Sequence, residues 1–517
     1  MSTRRPERGL LAALAVWGIG PLVIIALHAA ASGQRLTGAD GIIAGDQLQY
    51  LAWIQDASRH GLAASLFTLE PPTHVFAQPM FTLSAAVTAL GAPLVLAYLL
   101  WKPVAVFVLF LGVDRLAARA FPGAAARRTA ATWLALFCFL PWAALSGWTA
   151  PGAPGPSQSG LLAVAGELFP AGELWGYLPS AVAVGLLALA LLATERGLTG
   201  PLEDARRPLM VAALAGLVSA WLHPWQGITF ELILAGLAAW ERRRVAGRLA
   251  LPAIATGLPL LYYEMLSRSD PAWHLASRNE IVPHLPLLAL LAGLGPPLII
   301  ACTGIRRPDG TPFERSLLLW VPAGLVTYFA LGSFPAHGLE GLSIPLAVLM
   351  VRGWHRLRAP TWAGAPLLLV TILPGLLYVG EQLADVARSS IQGYYVSVHD
   401  ARALDWVAHR APRGGVLARP LFALAVPAQT GRAVWVGHQF WSRDYAHRAP
   451  LADALFAGRL PAPTARTLVE LSGARLLVAD CGSARGVVSE LAPVLVATHR
   501  FGCASVSIIA QPGARTS

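Results

Sequence analysis

Gly45-Asp46-Gln47-Leu48-Gln49-Tyr50-Leu51-Ala52-Trp53-Ile54-Gln55-Asp56-Ala57-Ser58-Arg59-His60-Gly61 follows the first long apolar segment of the chain. Leu48, Leu51, Ile54 and Ala57 repeat at three-residue spacing and form one apolar face of a helix. Tyr50 and Trp53 are amphipathic aromatics suited to a membrane–water boundary, so the stretch reads as a helix lying on a membrane. Asp46 precedes its first turn and Gln49 follows three residues later, a capping-box-like start. Two roles are open to Asp46. It can satisfy free backbone N–H groups, and, because a carboxylate held by a helix start at the mouth of a membrane cavity is also a positioned base, the two roles are not exclusive.

Around this helix the composition is that of a membrane protein. Of 517 residues, 55% are hydrophobic and 13% charged, against about 25% charged in soluble domains. Apolar runs long enough to cross a ~30 Å hydrocarbon core lie near 10–30, 93–114, 129–147, 174–195, 208–224, 226–240, 249–266, 286–303, 316–332, 337–351 and 363–380. The fold class expected is a polytopic α-helical membrane protein with about eleven transmembrane helices. An N-terminus on the inside places Arg4, Arg5 and Arg8 on one side with the Arg clusters near 115–128, 196–207, 242–248, 306–315 and 352–358. Only Arg35, Arg59, Arg268 and Arg278 fall opposite, between the first and eleventh runs, which fixes the register by the positive-inside bias. The net charge of +11 is thus a topology signal, and no nucleic-acid partner is implied. The N-terminal apolar run lacks a small-x-small cleavage site and reads as an uncleaved first helix. Runs 226–240 and 337–351 are short and carry Glu231 and Glu340, as tilted, broken or buried helices do.

In this register the polar chemistry collects outside. Residues 31–92 form a large first outer loop, with the turn Pro71-Pro72-Thr73-His74 and an interfacial or re-entrant piece from Pro79 to Leu90. Residues 148–173 end with Glu167 and Glu173, and 267–285 hold Asp270, His274, Arg278, Glu280 and His284. The transmembrane domain is expected over 1–385. Residues 386–517 read as an α/β domain, placed outside by eleven crossings. It has a helix over His399–Arg410, short strands at Gly415–Ala418, Ala433–Val436, Arg475–Ala479, Val494–Ala497 and Ala504–Ile509, and helices around 451–472. The four cysteines show no CxxC or Cys/His metal spacing. An exported domain permits disulfides, which leaves a Cys481–Cys503 pair open.

This order resembles the GT-C class of membrane glycosyltransferases. Asp46-Gln-Leu-Gln-Tyr-Leu-Ala-Trp-Ile-Gln-Asp-Ala with Gly61 looks like the class's first-loop signature. Glu340-Gly-Leu-Ser-Ile-Pro-Leu-Ala-Val-Leu is similar to a late-span motif of uncharacterised bacterial members, and Thr430-Gly-Arg-Ala-Val-Trp-Val-Gly-His to a segment of their C-terminal domains. Two departures matter. Gln47 follows Asp46 where protein mannosyltransferases of the class carry an acidic pair, and Trp441-Ser-Arg-Asp-Tyr445 does not match the Trp-Trp-Asp-Tyr-Gly of oligosaccharyltransferases. Neither activity is therefore assigned, and the metal dependence of the latter is not carried over.

The resemblance implies inverting transfer of a sugar from a polyprenyl-phosphate-linked donor to a glycan, lipid or protein acceptor at the outer face of a bacterial cytoplasmic membrane. Such a transfer needs a base for the acceptor hydroxyl and cations or N–H donors for the phosphate. Asp46 is the expected base. Asp40, in a Gly-rich turn, is expected to be solvated, and Asp56 to lie on the polar helix face. Lys102, the only lysine, sits within the second run, where a charge costs about 2.5–3.5 kcal/mol unless paired or wet. It either meets the donor phosphate or snorkels to the interface. His223, where Pro224 breaks the fifth run, either binds phosphate or sugar or bonds freed backbone carbonyls. Asp270, Arg278 and His337 face the same side as candidate substrate contacts. No cofactor is implied. Glu167 and Glu173 are the candidates for a second acid or a metal ligand, but no Asp-x-Asp spacing supports a divalent metal. The alternatives are an ion-coupled transporter, against which stand the lack of an internal repeat and the folded outer domain, and a non-catalytic envelope-assembly protein.

Overall fold

The computed structural model describes residues 5–41, 44–137, 168–241, 243–281, 284, 287–305, 310–358, 360, 362–364, 366, 380, 383–384 and 393–511. The chain is a polytopic helical membrane protein. Among the described residues, five helices are long and apolar enough to span a bilayer: Glu7–Ser32, Leu94–Ala120, Leu178–Thr199, Glu203–Leu222 and Ala246–Ser269. Four other expected runs form the shorter or less apolar helices Pro224–Glu241, Leu287–Gly304, Pro312–Ala330 and Ser343–Arg356. The run at 129–147 begins as helix Ala125–Phe137. Its remainder, most of 363–380, Cys138 and Glu167 lie outside the described residues. The run at 337–351 is broken: a tight 3-10 turn, Pro335–Leu339, precedes the helix, and Gly341 between them takes a left-handed φ of 75°.

The chain divides into two compact units. The first comprises Met1–Gly20, Trp101–Met265 and Ile281–Leu383, the second Pro21–Leu100, Leu266–Glu280 and Ala384–Ser517. In the first unit small residues let helix backbones touch, as they do where apolar solvent removes the hydrophobic drive between helices. A Cβ on Gly112 would lie 2.2 Å from the Gly185 carbonyl oxygen, and one on Gly353 would lie 2.1 Å from that of Ile300. Several of the arginines read as topology markers are also ion-paired to acids on neighbouring helices. Arg352 donates to both oxygens of Glu314 (2.6 and 2.7 Å), Arg119 Nε to Glu195 (3.0 Å) and Arg128 Nε to Asp114 (2.8 Å).

The second unit is built around helix Ala44–His60, with Leu48, Leu51 and Ile54 fully buried. Strand β1 (Arg35–Leu36) pairs antiparallel with β2 (Tyr395–Val396), tying the first-loop segment to the start of the C-terminal segment. Strands β3 (Val416–Ala418), β4 (Leu476–Ala479), β5 (Leu495–Phe501) and β6 (Ala504–Ile509) form one sheet in the order β3-β4-β6-β5, with only the β3–β4 pair parallel. The strand expected at Ala433–Val436 is reduced to a single bridge between Val434 and Val416. Val434 N–H donates to the first-loop carbonyl of Leu66 (2.9 Å), while Trp435 N–H donates to Val416 (2.9 Å). Helices Val398–His409, Tyr445–Phe456 and Ala462–Leu471 pack with this sheet region. Cys481 and Cys503 form a disulfide, closing a separation of 22 residues between β4 and β6.

Two stability tests follow from this packing. Gly185→Val should cost about 1–3 kcal/mol by overpacking against a backbone that cannot yield, read as a lower apparent Tm in detergent. Gly9→Ala, with nothing within 4 Å of the added Cβ, should leave the Tm unchanged. Cys503→Ala should cost about 3 kcal/mol through the lost loop closure, and thiol labelling of the unreduced wild type should leave Cys481 and Cys503 unmodified.

Candidate active site

The helix begins at Ala44, so Asp46 lies inside its first turn rather than before it. A carboxylate there is favoured by the helix dipole. The preceding turn is pinned by Gln47, whose amide donates to the Asp40 carbonyl (2.6 Å) and accepts from the Asp40 N–H (2.7 Å). Asp40, expected in a solvated turn, is instead fully buried. Asp56 is likewise buried rather than on a polar face.

Asp46 Oδ1 lies 3.1 Å from Nε2 of His438. The Asp46 side chain is 23% exposed and that of His438 only 4%, so one member of the pair meets solvent while the other sits in the protein. The Phe440 backbone N–H donates to His438 Nδ1 (3.3 Å). A ring whose Nδ1 accepts must, when neutral, carry its proton on Nε2. His438 therefore donates to Asp46 and fixes the orientation of its carboxylate. The ring is held by a tight turn: Ser442 N–H donates to the His438 carbonyl (2.9 Å), and Ser442 Oγ accepts from Gly437 N–H (3.0 Å). His438 closes the Thr430–His438 segment noted in the sequence, but nothing in that segment marks it as the partner of a residue 392 positions earlier.

Below Asp46 on the same helix, Trp53 is buried rather than exposed at a boundary. Its ring lies 4.5 Å from Phe76, stacks at 6.0 Å on Trp273 and meets Trp441 edge-on at 5.3 Å. Asp270 caps helix Pro271–Asn279: Oδ1 accepts from the N–H groups of Ala272 and Trp273 (both 3.0 Å), and Oδ2 accepts from the Thr73 hydroxyl. Arg278, in the last turn of that helix, is exposed.

The remaining candidates lie in the first unit. Lys102 is buried, and its Nζ donates to the carbonyls of Gly18 and Leu174 (both 2.7 Å). Glu173, one residue before Leu174, is buried too. His223 caps the C-terminus of helix Leu202–Leu222, and Pro224 starts the next. His337 Nδ1 lies 2.7 Å from Glu340 Oε1, and His223 Nδ1 lies 3.3 Å from Glu340 Oε2 without hydrogen-bond alignment. Gln226 Nε2 donates to the same Glu340 oxygen (3.3 Å). One nitrogen from each His and one Glu340 oxygen fall within 4.8 Å of each other, a spacing that fits a divalent cation and that the sequence did not reveal. The six candidates thus separate: Asp46, Asp270 and Arg278 belong to the second unit, and Lys102, His223 and His337 to the first.

The sequence matches no protein-family model and no curated protein. Solved structures do match. ArnT from Cupriavidus metallidurans in the apo state aligns over 99% of this chain and 100% of its own, with a TM-score of 0.50 and 13% identity. The same protein bound to undecaprenyl phosphate aligns over 97% and 98%, at 0.48 and 14%. The arabinofuranosyltransferase AftD from Mycobacteria aligns over 99% of this chain and 42% of its own, at 0.45 and 14%. The likeness to apo ArnT runs the length of both chains and is one of fold: this protein has a GT-C class fold.

Proposed function

We propose that the protein is an inverting membrane glycosyltransferase that moves a sugar from a polyprenyl-phosphate-linked donor to an acceptor hydroxyl. The observation that carries this reading is the Asp46–His438 pair: a partly exposed carboxylate, oriented by a buried imidazole, in the first turn of a buried helix. In the transfer, the acceptor oxygen forms a bond to the anomeric carbon as the bond from that carbon to the phosphate oxygen breaks. The electron pair leaves with the polyprenyl phosphate, and Asp46 takes the acceptor proton. His438 acts as a positioning residue, holding one carboxylate oxygen so that the other is aimed. ArnT, whose apo fold this chain shares, has been captured with undecaprenyl phosphate, which supports a lipid-phosphate donor. The acceptor is a glycan, lipid or protein.

The arginine asymmetry and the disulfide, a bond of oxidising compartments, support an inner N-terminus and an outer C-terminal segment in a bacterial cytoplasmic membrane. Among the expected phosphate contacts, Arg278 has an exposed guanidinium and keeps that role in this reading. His223 and His337, gathered at Glu340, are kept as polar contacts. Lys102, donating to two backbone carbonyls, is assigned to packing, and Asp270 to capping.

Asp46→Asn should lower transfer about a thousandfold in proteoliposomes supplied with a panel of polyprenyl-phosphate sugars. A wild-type rate at normal abundance would remove Asp46 from the role. His438→Ala should lower it about tenfold to a hundredfold by loosening the base, and His438→Gln, whose amide N–H replaces Nε2–H, should recover part of the loss. Lys102→Ala should lower apparent Tm and membrane abundance with lipid-phosphate affinity per folded molecule unchanged. An unchanged Tm with lost affinity would return Lys102 to the donor phosphate.

A further inference from the structure

The far end of helix Ala44–His60 opens on a pocket that the transfer reading leaves unused. A cavity of about 550 Å³ within the second unit is lined by Arg59, Arg413, Arg432, His60, His74 and Asp56. Asp56 is ten residues beyond Asp46, about 15 Å along the helix axis, so the pocket is separate from the Asp46–His438 pair. Among the described lining residues Asp56 is the only carboxylate, and it is already engaged. Its Oδ2 accepts from Ala64 N–H (2.8 Å) and faces His74 Nδ1 at 2.9 Å, and its Oδ1 faces His60 Nδ1 at 3.0 Å.

The three guanidiniums have no such partner among the lining residues. Arg59 donates to the Thr430 carbonyl (3.3 Å), and the Gln55 amide, once turned so that its oxygen faces the guanidinium, accepts from Nη2 (2.8 Å). Arg432 donates to the carbonyls of Ala411 (3.1 Å) and Val407 (3.4 Å). These acceptors are neutral: they fix the guanidinium planes without cancelling the charge. Arg59 lies against Gly431, which takes a left-handed φ of 68° and whose added Cβ would fall 2.1 Å from Arg59 Nη1. Burial, with Arg59 and Arg413 beside it, holds Arg432 below the usual guanidinium range. Arg413 stands exposed at the pocket edge. Arg59, like Arg413, is exposed at the pocket, and Arg432 is the partly desolvated member. Guanidiniums gathered on one cavity, two of them tied to neutral acceptors, are an arrangement that binds oxyanions through paired N–H donors.

We propose that this pocket is an oxyanion site for a phosphate- or sulfate-like group, either free or carried on a sugar. The inference does not depend on the transfer reading; if that reading holds, the site gives the enzyme a second anchor, remote from the base, for an anionic substrate. The test is calorimetric titration of the purified full-length protein, in a neutral detergent, with inorganic phosphate and with a hexose phosphate. Saturable binding is expected, about tenfold weaker in Arg413→Ala at unchanged apparent Tm, and abolished in Arg413→Glu. Tighter binding of the hexose phosphate would place the anion on a sugar, and equal affinities would make it a free anion. No saturable binding of either compound, or wild-type affinity in Arg413→Glu, would overturn the proposal. So would phosphate binding that appears only after Zn²⁺ is added and is lost in His74→Gln, because the site would then be a cation site.

Discussion

Burial of the apolar face of helix Ala44–His60 is the constraint on which the second unit depends. Leu48, Leu51 and Ile54 are wholly removed from solvent, each contributing about 1.5–3 kcal/mol relative to an exposed position. That burial fixes the helix both in rotation and along its axis. Asp46 at one end and Asp56, Arg59 and His60 at the other therefore occupy set positions rather than a fluctuating surface. A helix merely resting on a bilayer would be free to roll, and a carboxylate on it would have no defined partner. Here Trp53, midway, is packed among Phe76, Trp273 and Trp441, and the helix holds polar side chains at set positions at both ends.

The first unit solves a different problem, the placement of charge in an apolar setting. A buried ammonium is tolerable only if its donors find acceptors, and Lys102 meets Gly18 and Leu174 carbonyls at 2.7 Å. Arg352 and Glu314 meet fork to fork, the geometry in which a desolvated pair loses least. Around these polar points the helices close at glycine, where no side chain holds the backbones apart. Hydrogen bonds thus neutralise what the membrane would reject, and small residues supply the dispersion contact that hydrophobic segregation cannot supply there.

What the sequence revealed tracks the range of the interactions. The helix at 44–60 was legible because its face repeats within a few residues, and the spans were legible because apolar length is a local property. Trp53 was misread because an amphipathic aromatic has the same local signature at a membrane boundary as in a core. Asp40 was misread because a Gly-rich turn says nothing of what covers it; the buried Gln47 amide bridges its backbone. The weak strand at 433–436 failed for a related reason: part of its hydrogen bonding goes to Leu66, from a loop more than 360 residues earlier. The fold class needed only order and composition, whereas the candidate site needed a pairing between the two ends of the chain.

That pairing also explains why His438 rather than another polar residue orients Asp46. A lysine or arginine in its place would be a fixed cation, stabilising the carboxylate anion and weakening it as a base. A neutral imidazole, its Nδ1 occupied by Phe440 N–H, offers one directional N–H at Nε2. It aligns the carboxylate while drawing off less of its negative charge than a full ion pair would. The protein N–H at Phe440 thus selects the tautomer, the tautomer selects the donor, and the donor orients the carboxylate. One link is a hydrogen bond within the 438–442 turn and the other runs from that turn to the helix, so the carboxylate is tied to the backbone without a second charge beside Asp46 from this element.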